Sequence, residues 1–525
     1  MKKYAIGSFP TSVRVFVVII ALCTAICTMA YMSPSFADID YGLDPAGYTY
    51  ENPHDIIIRG PGLTYTTRGE HVSIYGACDP DYPVYMNGTE IQKTKHGFFA
   101  EYVPLVQGEN SFTFTNNGKS KTVVITKKAS STGSGGSSAV TVKELSGKYL
   151  TVKNNNASRM TAPDADSKAL MFPLAKGTVV QVTGETDDYY RLADGSFIYK
   201  STGELMDGSV AKAVVTETRL TPADANRCSS FRLRISQNAL YDYYSEGGFG
   251  YLTVYNASNN AKMPDSVKNC AVKAVSVRND ADKCVYALKY ADDAAINGYS
   301  VSFENGYLVL SFKHKVTKQG GDLSGYVIHI DAGHGGSDPG ALGAAAMSGP
   351  TEAQINLNMA KVAAEVLRSR GATVIMTRDD DSTMGLADRA YLVAGEMPDF
   401  SLSIHNNSTA YEGDYSKRAG LETYYSFSKE AADFFDAKIT SQLGAGASGG
   451  RYKNLAMTRA TGFPAVLVEV DYISNPNSYE WLIEKKSQIA AGTAAADAVT
   501  AYFEKYAVDE AEGTRAPRAA EISKL

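Results

Sequence analysis

Tyr326-Val-Ile-His-Ile-Asp-Ala-Gly-His-Gly-Gly336 is the stretch at which the pattern of this chain changes. An apolar, β-branched run breaks there into a glycine-rich turn with His334 in its middle. Such a run reads as a buried strand, and glycines around a polar residue let the backbone set that side chain on an open edge. A histidine held in this way can ligate a metal, act as a base or simply fill a turn.

Downstream, strands alternate with long helices, the signature of an α/β sheet. Thr351 and Gln354 form a capping box ahead of a helix with Ile355, Met359, Val362, Val366 and Leu367 at helical spacing, and Gly371 stops it. Strands are predicted at Thr373–Thr377, Phe400–His405, Leu421–Tyr425 and Ala465–Val470. Helices are predicted at Leu386–Ala394, Lys429–Leu443, around Tyr479–Glu484 and at Ser487–Lys505. The charged, alanine-rich tail at 507–525 reads as disordered.

With 525 residues and 44% hydrophobic content, the chain is too long for one core and calls for several domains. Its net charge of -6 gives no reason to expect nucleic acid as a partner. Residues 1–37 read as an address. Lys2, Lys3 and Arg14 precede the uncharged run Val15–Met32, and Ser35-Phe36-Ala37 offers small residues at a cleavage site. A cleaved signal peptide is expected, with an uncleaved anchor on the outer face of the cytoplasmic membrane as the alternative. Membrane contact is expected only through this segment. Cys78, Cys228, Cys270 and Cys284 remain after it, with no C-x-x-C pair to suggest a thiolate metal site. A hairpin turning at Asn279–Asp282 would set Cys284 opposite Val277, which argues against a Cys270–Cys284 bridge.

Between the address and Tyr326 the sequence is β-rich throughout. Residues 55–128 alternate short apolar runs with turn signals such as Asn87-Gly88 and Asn117-Gly118, the spacing of a small sandwich. The passage from Val84 to Phe112 resembles bacterial immunoglobulin-like repeats, which implies a spacer or a binding module. Residues 129–139 form a Gly/Ser linker. At 140–207, Lys176–Val182, Tyr189–Leu192 and Asp194–Ile198 resemble the closing hairpins of bacterial SH3-like barrels, which implies wall-peptide binding or a structural barrel. At 208–320 the layout resembles the AMIN-type wall-targeting domains, and Lys318–Asp322 reads as a hinge. The expected architecture is therefore multidomain, with small all-β domains followed by a C-terminal α/β domain at 325–506. Its mostly parallel sheet would be flanked by helices.

In open α/β sheets ligands collect at the carboxyl edge of the strands. His334 follows the first strand of this domain, His405 ends another, and Glu469 ends the Ala465–Val468 run. Glu352 opens the helix that starts at the same edge, and its helical phase turns it inward. Two imidazoles and a carboxylate with an open fourth position make a catalytic zinc set, able to acidify water and polarise a carbonyl. Glu469, a carboxylate beyond the ligand count, could take the water's proton and pass it to a leaving amine. Taken singly, each residue has a plainer reading. Glu352 alone would be a helix-start charge favoured by the dipole, but an unpaired Glu469 inside an apolar strand would be costly.

Val327-Ile-His-Ile-Asp-Ala-Gly-His-Gly-Gly, Asp338-Pro-Gly, Glu352 with Asn356-Leu, Thr377-Arg-Asp-Asp-Asp, Arg389, Ser403-Ile-His-Asn-Asn and Pro464-Ala-Val-Leu-Val-Glu with Ile473-Ser-Asn-Pro occur in this order. Together they closely resemble the zinc-dependent N-acetylmuramoyl-L-alanine amidases (type-3 catalytic domain). The resemblance implies Zn2+ held by His334, Glu352 and His405, with Glu469 as catalytic acid and base. It also implies peptidoglycan as substrate, cut between the lactyl group and the first L-alanine, by an exported autolysin-type enzyme of the cell wall. A monomer is the working expectation.

His329, where the family carries an aliphatic residue, is expected to pack in the core rather than to be a fourth ligand. Arg378 and Arg389 are expected to make fold-supporting ion pairs, and Asn406 and Asn475 to hold turns. Thr423–Arg459 has room for one helix, so no helix is expected to plug the site. A wall-anchored scaffold and a zinc hydrolase of another amide are the competing readings. The intact four-residue set disfavours the scaffold.

Overall fold

The computed structural model describes residues 53–129, 140–164, 170–292, 294–316, 322–444 and 446–506. The export segment at 1–37, almost all of the Gly/Ser linker, the 318–321 part of the hinge and the tail from 507 lie outside the described residues. Among the described residues no helix is long and apolar enough to cross a membrane.

The chain is multidomain, β-rich in its N-terminal part and α/β at its C-terminal end. Residues 57–127 form a three-stranded and a five-stranded sheet, with Val72, Ile74, Phe99, Phe114, Val123 and Ile125 in the shared core. Asn87-Gly88 and Asn117-Gly118 close hairpins there with both residues at positive φ, a turn whose twist matches the strands it joins. Residues 143–207 build a seven-stranded sheet, and residues 213–314 a five-stranded and a four-stranded one. A single apolar cluster runs from Leu150 to Phe312 and joins these last two regions. Buried Arg159 reinforces the joint, reaching Asp194 and Asp242 at 2.7 Å each.

The cysteine hairpin differs in register from the sequence expectation. Asn279, not Val277, faces Cys284, because the Asp280 N–H donates to the Lys283 carbonyl and closes the turn one residue later. All four described cysteines are free thiols.

The C-terminal domain holds a six-stranded sheet: β1 (Val327–Ala332), β2 (Thr373–Met376), β3 (Phe400–Asn407), β4 (Glu422–Tyr425), β5 (Arg451–Tyr452) and β6 (Ala465–Tyr472). Their order is β2-β1-β3-β6-β4-β5, with β1, β2, β3 and β6 parallel and β4 antiparallel to β6. The helices are α1 (Glu352–Ser369), α2 (Leu386–Glu396), α3 (Lys429–Leu443), α4 (Pro476–Leu482) and α5 (Lys485–Tyr506). The capping box at Thr351 and Gln354 is formed on both sides. Asn475 caps α4 by accepting from the Asn477 and Ser478 N–H groups. Between Thr423 and Arg459, α3 is the only α-helix among the described residues, with one short 3-10 turn after it.

The first sandwich is packed directly on this domain. The Ser73 N–H donates to the Tyr411 carbonyl and the Ser73 hydroxyl to the Gly413 carbonyl, both at 2.7 Å. Tyr65 and Thr67 donate to Glu412 at 2.9 and 2.8 Å, and Tyr75 meets Tyr415 with ring centres 4.8 Å apart. Phe98, fully buried, lies against Tyr479 of α4, whose ring occupies the space a side chain at Gly343 would need. On another side, Arg227 of the third β region grips Asp399 through both carboxylate oxygens at 2.6 Å, and Asp399 also accepts the Val327 N–H.

Truncating a fully buried phenylalanine costs about 3–5 kcal/mol. Phe98→Ala is therefore expected to lower the calorimetric transition shared by the first sandwich and the C-terminal domain, and to split it in two. A variant melting like wild type would show that the interface contributes nothing.

Candidate metal centre at the sheet edge

The parallel strands β1, β3 and β6 end together, and their register decides which side chains meet. Ala332 pairs with Ile404, and His405 pairs with Glu469. The chain then leaves β1 through Gly333 and His334, whose φ of 60 lies in the left-handed region. That conformation costs a non-glycine residue energy, so the surroundings must impose it.

Two arginines impose it. Arg389 donates to the carbonyls of Ala332 and His334 at 2.6 and 2.5 Å. Arg378 donates to Ala332, Gly333 and Ala353 at 3.0, 2.9 and 2.7 Å. Arg389 also pairs with buried Asp331 at 2.7 Å, matching the ion-pair expectation. Arg378 works instead through main-chain carbonyls, those of Ala332 and Gly333 in the turn, Ala353 in α1 and Asp380 in its own loop.

Glycine is required at two points. A Cβ on Gly333 would lie 2.2 Å from the His405 ring, and one on Gly340 2.6 Å from Glu352 Oε2. Either would push apart the groups that converge here.

His334, Glu352 and His405 each bring a ligand-type atom within 4.8 Å of the others, and the three could hold a metal ion. Glu352 Oε1 is 3.2 Å from His334 Nε2 and 3.1 Å from His405 Nδ1. Its Oε2 accepts the Ala341 N–H at 2.7 Å, and the Asn406 N–H reaches Oε1 at 3.2 Å. Behind His334, Asp338 Oδ2 sits 2.8 Å from Nδ1, a carboxylate that orients the ring and leaves Nε2 facing Glu352. Asp338 stood in the sequence motif without a role; its spacing of four from His334 was the available signal. His334 and His405 keep a route to solvent, with 26% and 18% of their side chains exposed.

The electrostatics describe a cavity built for positive charge. Burial works against a charged His334, but hydrogen bonds to Glu352 and Asp338 outweigh it and raise the ring to about 9. Burial likewise disfavours charge on His405, and Glu352 with Glu469 raises it nonetheless. Glu352 is held well below the usual carboxylate range by these two imidazoles, against its own burial. Imidazolium protons thus satisfy the carboxylate here, the part a divalent cation plays in a His/Glu/His donor set. Glu469 is pushed up to about 7 by burial, and its Oε2 is buried with no hydrogen-bond partner.

His329 is fully buried under this edge and is not in the cluster. Its Nδ1 lies 2.9 Å from Ser401 Oγ, while Nε2 has no partner, so it packs in the core but is only half satisfied. Asn406 donates to Asn356 Oδ1 at 2.7 Å and so ties β3 to α1 rather than holding a turn.

The C-terminal α/β domain thus sets two histidines and a glutamate together at the carboxyl edge of its sheet, with half-buried Glu469 on the neighbouring strand. Residues 328–501 match the model of the family described as N-acetylmuramoyl-L-alanine amidase (Amidase_3). "Probable cell wall amidase LytH" of Staphylococcus aureus is 34% identical over 187 residues, 36% of this chain and 62% of that protein. The chain thus spans under two thirds of the length of the curated relatives it matches. Two solved structures are also similar. The catalytic domain of CwlV, an N-acetylmuramoyl-L-alanine amidase from Bacillus (Paenibacillus) polymyxa var. colistinus, is 34% identical over 34% of this chain and 98% of its own, with a TM-score of 0.32. An N-acetylmuramoyl-L-alanine amidase from Clostridium difficile 630 is 30% identical over 34% and 97%, also with a TM-score of 0.32.

One outcome is independent of any ligand. Burial pushes His329 down to about 4, below its ordinary 6.5, so the unfolded chain binds the extra proton first as pH falls. Its contribution is present in full above pH 6.5 and is lost as pH drops toward 4, about 3 kcal/mol in all. Thermal melts from pH 7 to 5 are expected to fall more steeply for wild type than for His329→Gln. Parallel curves would contradict this.

Proposed function

We propose that the chain is an exported, zinc-dependent N-acetylmuramoyl-L-alanine amidase of the cell wall. It would cleave the amide between the lactyl group of N-acetylmuramic acid and L-alanine of peptidoglycan stem peptides. The observation that carries this reading is the convergence of His334, Glu352 and His405 beside half-buried Glu469, inside the segment that matches the amidase family. Similarity to a cell wall amidase of Staphylococcus aureus supports the same substrate.

In this reading His334, Glu352 and His405 hold the ion, and two imidazoles with one carboxylate suit Zn2+. When bound, the ion supplies a Lewis acid for the scissile carbonyl and makes water in the site more acidic. The remaining work falls to the chain. Asp338 fixes the tautomer and orientation of His334. Glu469, with a carboxylate oxygen that no protein group engages, takes a proton from the attacking water and delivers it to the departing alanine nitrogen. Burial favours the protonated form that this delivery needs.

The reading extends to the rest of the chain. Residues 1–37 serve as a cleaved export signal, and the immunoglobulin-like, SH3-like and AMIN-like domains hold the enzyme on peptidoglycan. No nucleic acid takes part.

Digestion of purified sacculi tests the chemistry. Wild type is expected to release new alanine amino termini and free lactyl groups, to lose this activity to a chelator and to regain it with Zn2+. Glu469→Gln is expected to be slower by about 10²–10⁴-fold. Cleavage elsewhere in the stem peptide, or full activity of Glu469→Gln, would refute the assignment.

A further inference from the structure

Beyond the metal centre, the sheet continues through two strands that present charge on the same edge. On β4, Glu422 lies directly opposite Glu469 of β6, and facing residues in an antiparallel pair share one side of the sheet. Glu422 is buried and well occupied. It accepts from Asn407 Nδ2 at 3.0 Å and from the Tyr424 hydroxyl, and it pairs with Arg451 Nη1 at 2.7 Å. Arg451 opens β5, in register with Tyr424, and its side chain is 47% exposed. One nitrogen is anchored inward, and among the described residues its other nitrogens have no protein partner.

Lys453 follows just after β5 and lies over Tyr424, the residue paired with Arg451. Its ammonium stands 5.1 Å from the centre of the Tyr424 ring, it makes no ion pair among the described residues, and its charge reaches Glu469. Two cations thus stand beside the anchoring carboxylate of Glu422 on this wall of the site.

The substrate's own chemistry says what such a wall can read. N-acetylmuramic acid has one carboxyl group, and in the proposed reaction that group is already inside the scissile amide. Any free carboxylate near the cut then belongs to the peptide. An arginine with a free donor edge is suited to planar carboxylates, and an adjacent lysine adds an adaptable point charge.

We propose that Arg451 and Lys453, anchored by Glu422 and Tyr424, form a subsite for a carboxylate of the stem peptide. The proposal rests on the amidase reading above and adds the group by which the peptide is recognised. Arg451 and Lys453 are specificity-determining residues; neither takes part in bond breaking.

The test uses the full chain and soluble muramoyl-peptides of one length, with peptide carboxylates either free or converted to amides. Such substrates carry no wall-polymer phosphate, so a preference reports on the carboxylate. Wild type is expected to favour the free acid by at least about tenfold in kcat/KM. Arg451→Gln and Lys453→Gln are expected to erase most of that preference through KM, with Arg451→Lys retaining part of it. Lys453 is exposed and anchors nothing buried, so Lys453→Gln remains decisive if Arg451→Gln folds poorly. Equal cleavage of both substrates by wild type, or an unchanged preference in Lys453→Gln, overturns the subsite alone. Failure of wild type to cut either substrate overturns the amidase reading and the subsite with it.

Discussion

The buried carboxylate of Asp331 is the point on which the site depends. It is 1% exposed, and it accepts from Arg389, Ser403 and Thr377 at 2.7, 2.5 and 2.7 Å. Those donors come from α2, β3 and the end of β2, so one side chain of β1 ties together four elements under the sheet edge. Burial alone would raise this acid, but the Arg389 charge dominates with help from His405 and His329, and holds it at about 2. Removing one partner of such a pair is expensive because the other is left charged in a dry interior. Arg389 also donates to the Ala332 and His334 carbonyls, which is how a buried ion pair comes to hold a strained turn. His334 is thereby held at positive φ, where an unbraced histidine would relax.

Around that core the β-rich regions do more than tether. The loop from Tyr411 to Tyr415 follows the strand that carries His405, and the first sandwich grips it through Ser73, Tyr65, Thr67 and Tyr75. Tyr75 also reaches the Leu342 carbonyl at 3.3 Å, next to the residue whose N–H holds Glu352. Two loops beside the candidate ligands are thus braced by residues more than 250 positions away in sequence. The third β region fixes the opposite end of β1 through Arg227 and Asp399.

Much of this was legible in the sequence where local chemistry decides. The strand into His334, the capping box at Thr351 and helix Lys429–Leu443 stand where periodicity and capping put them. The convergence of His334, Glu352 and His405 followed from two strand ends and a helix start sharing one edge. What could not be read depends on partners far away. β5 is two residues long and exists only because Tyr424 and Tyr425 offer an edge to pair with. The Cys284 register turned on a single hydrogen bond at Asp280. Docking of the first sandwich uses an irregular loop with no periodicity to read, and the pairing that sets Glu422 opposite Glu469 depends on a strand more than 40 residues away.

The account stands or falls on whether the three side chains bind an ion together. Metal content of the dialysed full chain, measured by mass spectrometry beside a zinc titration, addresses this without any assay of activity. One Zn2+ per wild-type chain is predicted, retained in Glu469→Gln and lost in His334→Ala, Glu352→Ala and His405→Ala. Retention of the ion by the three ligand variants, or no binding by folded wild type, would contradict it.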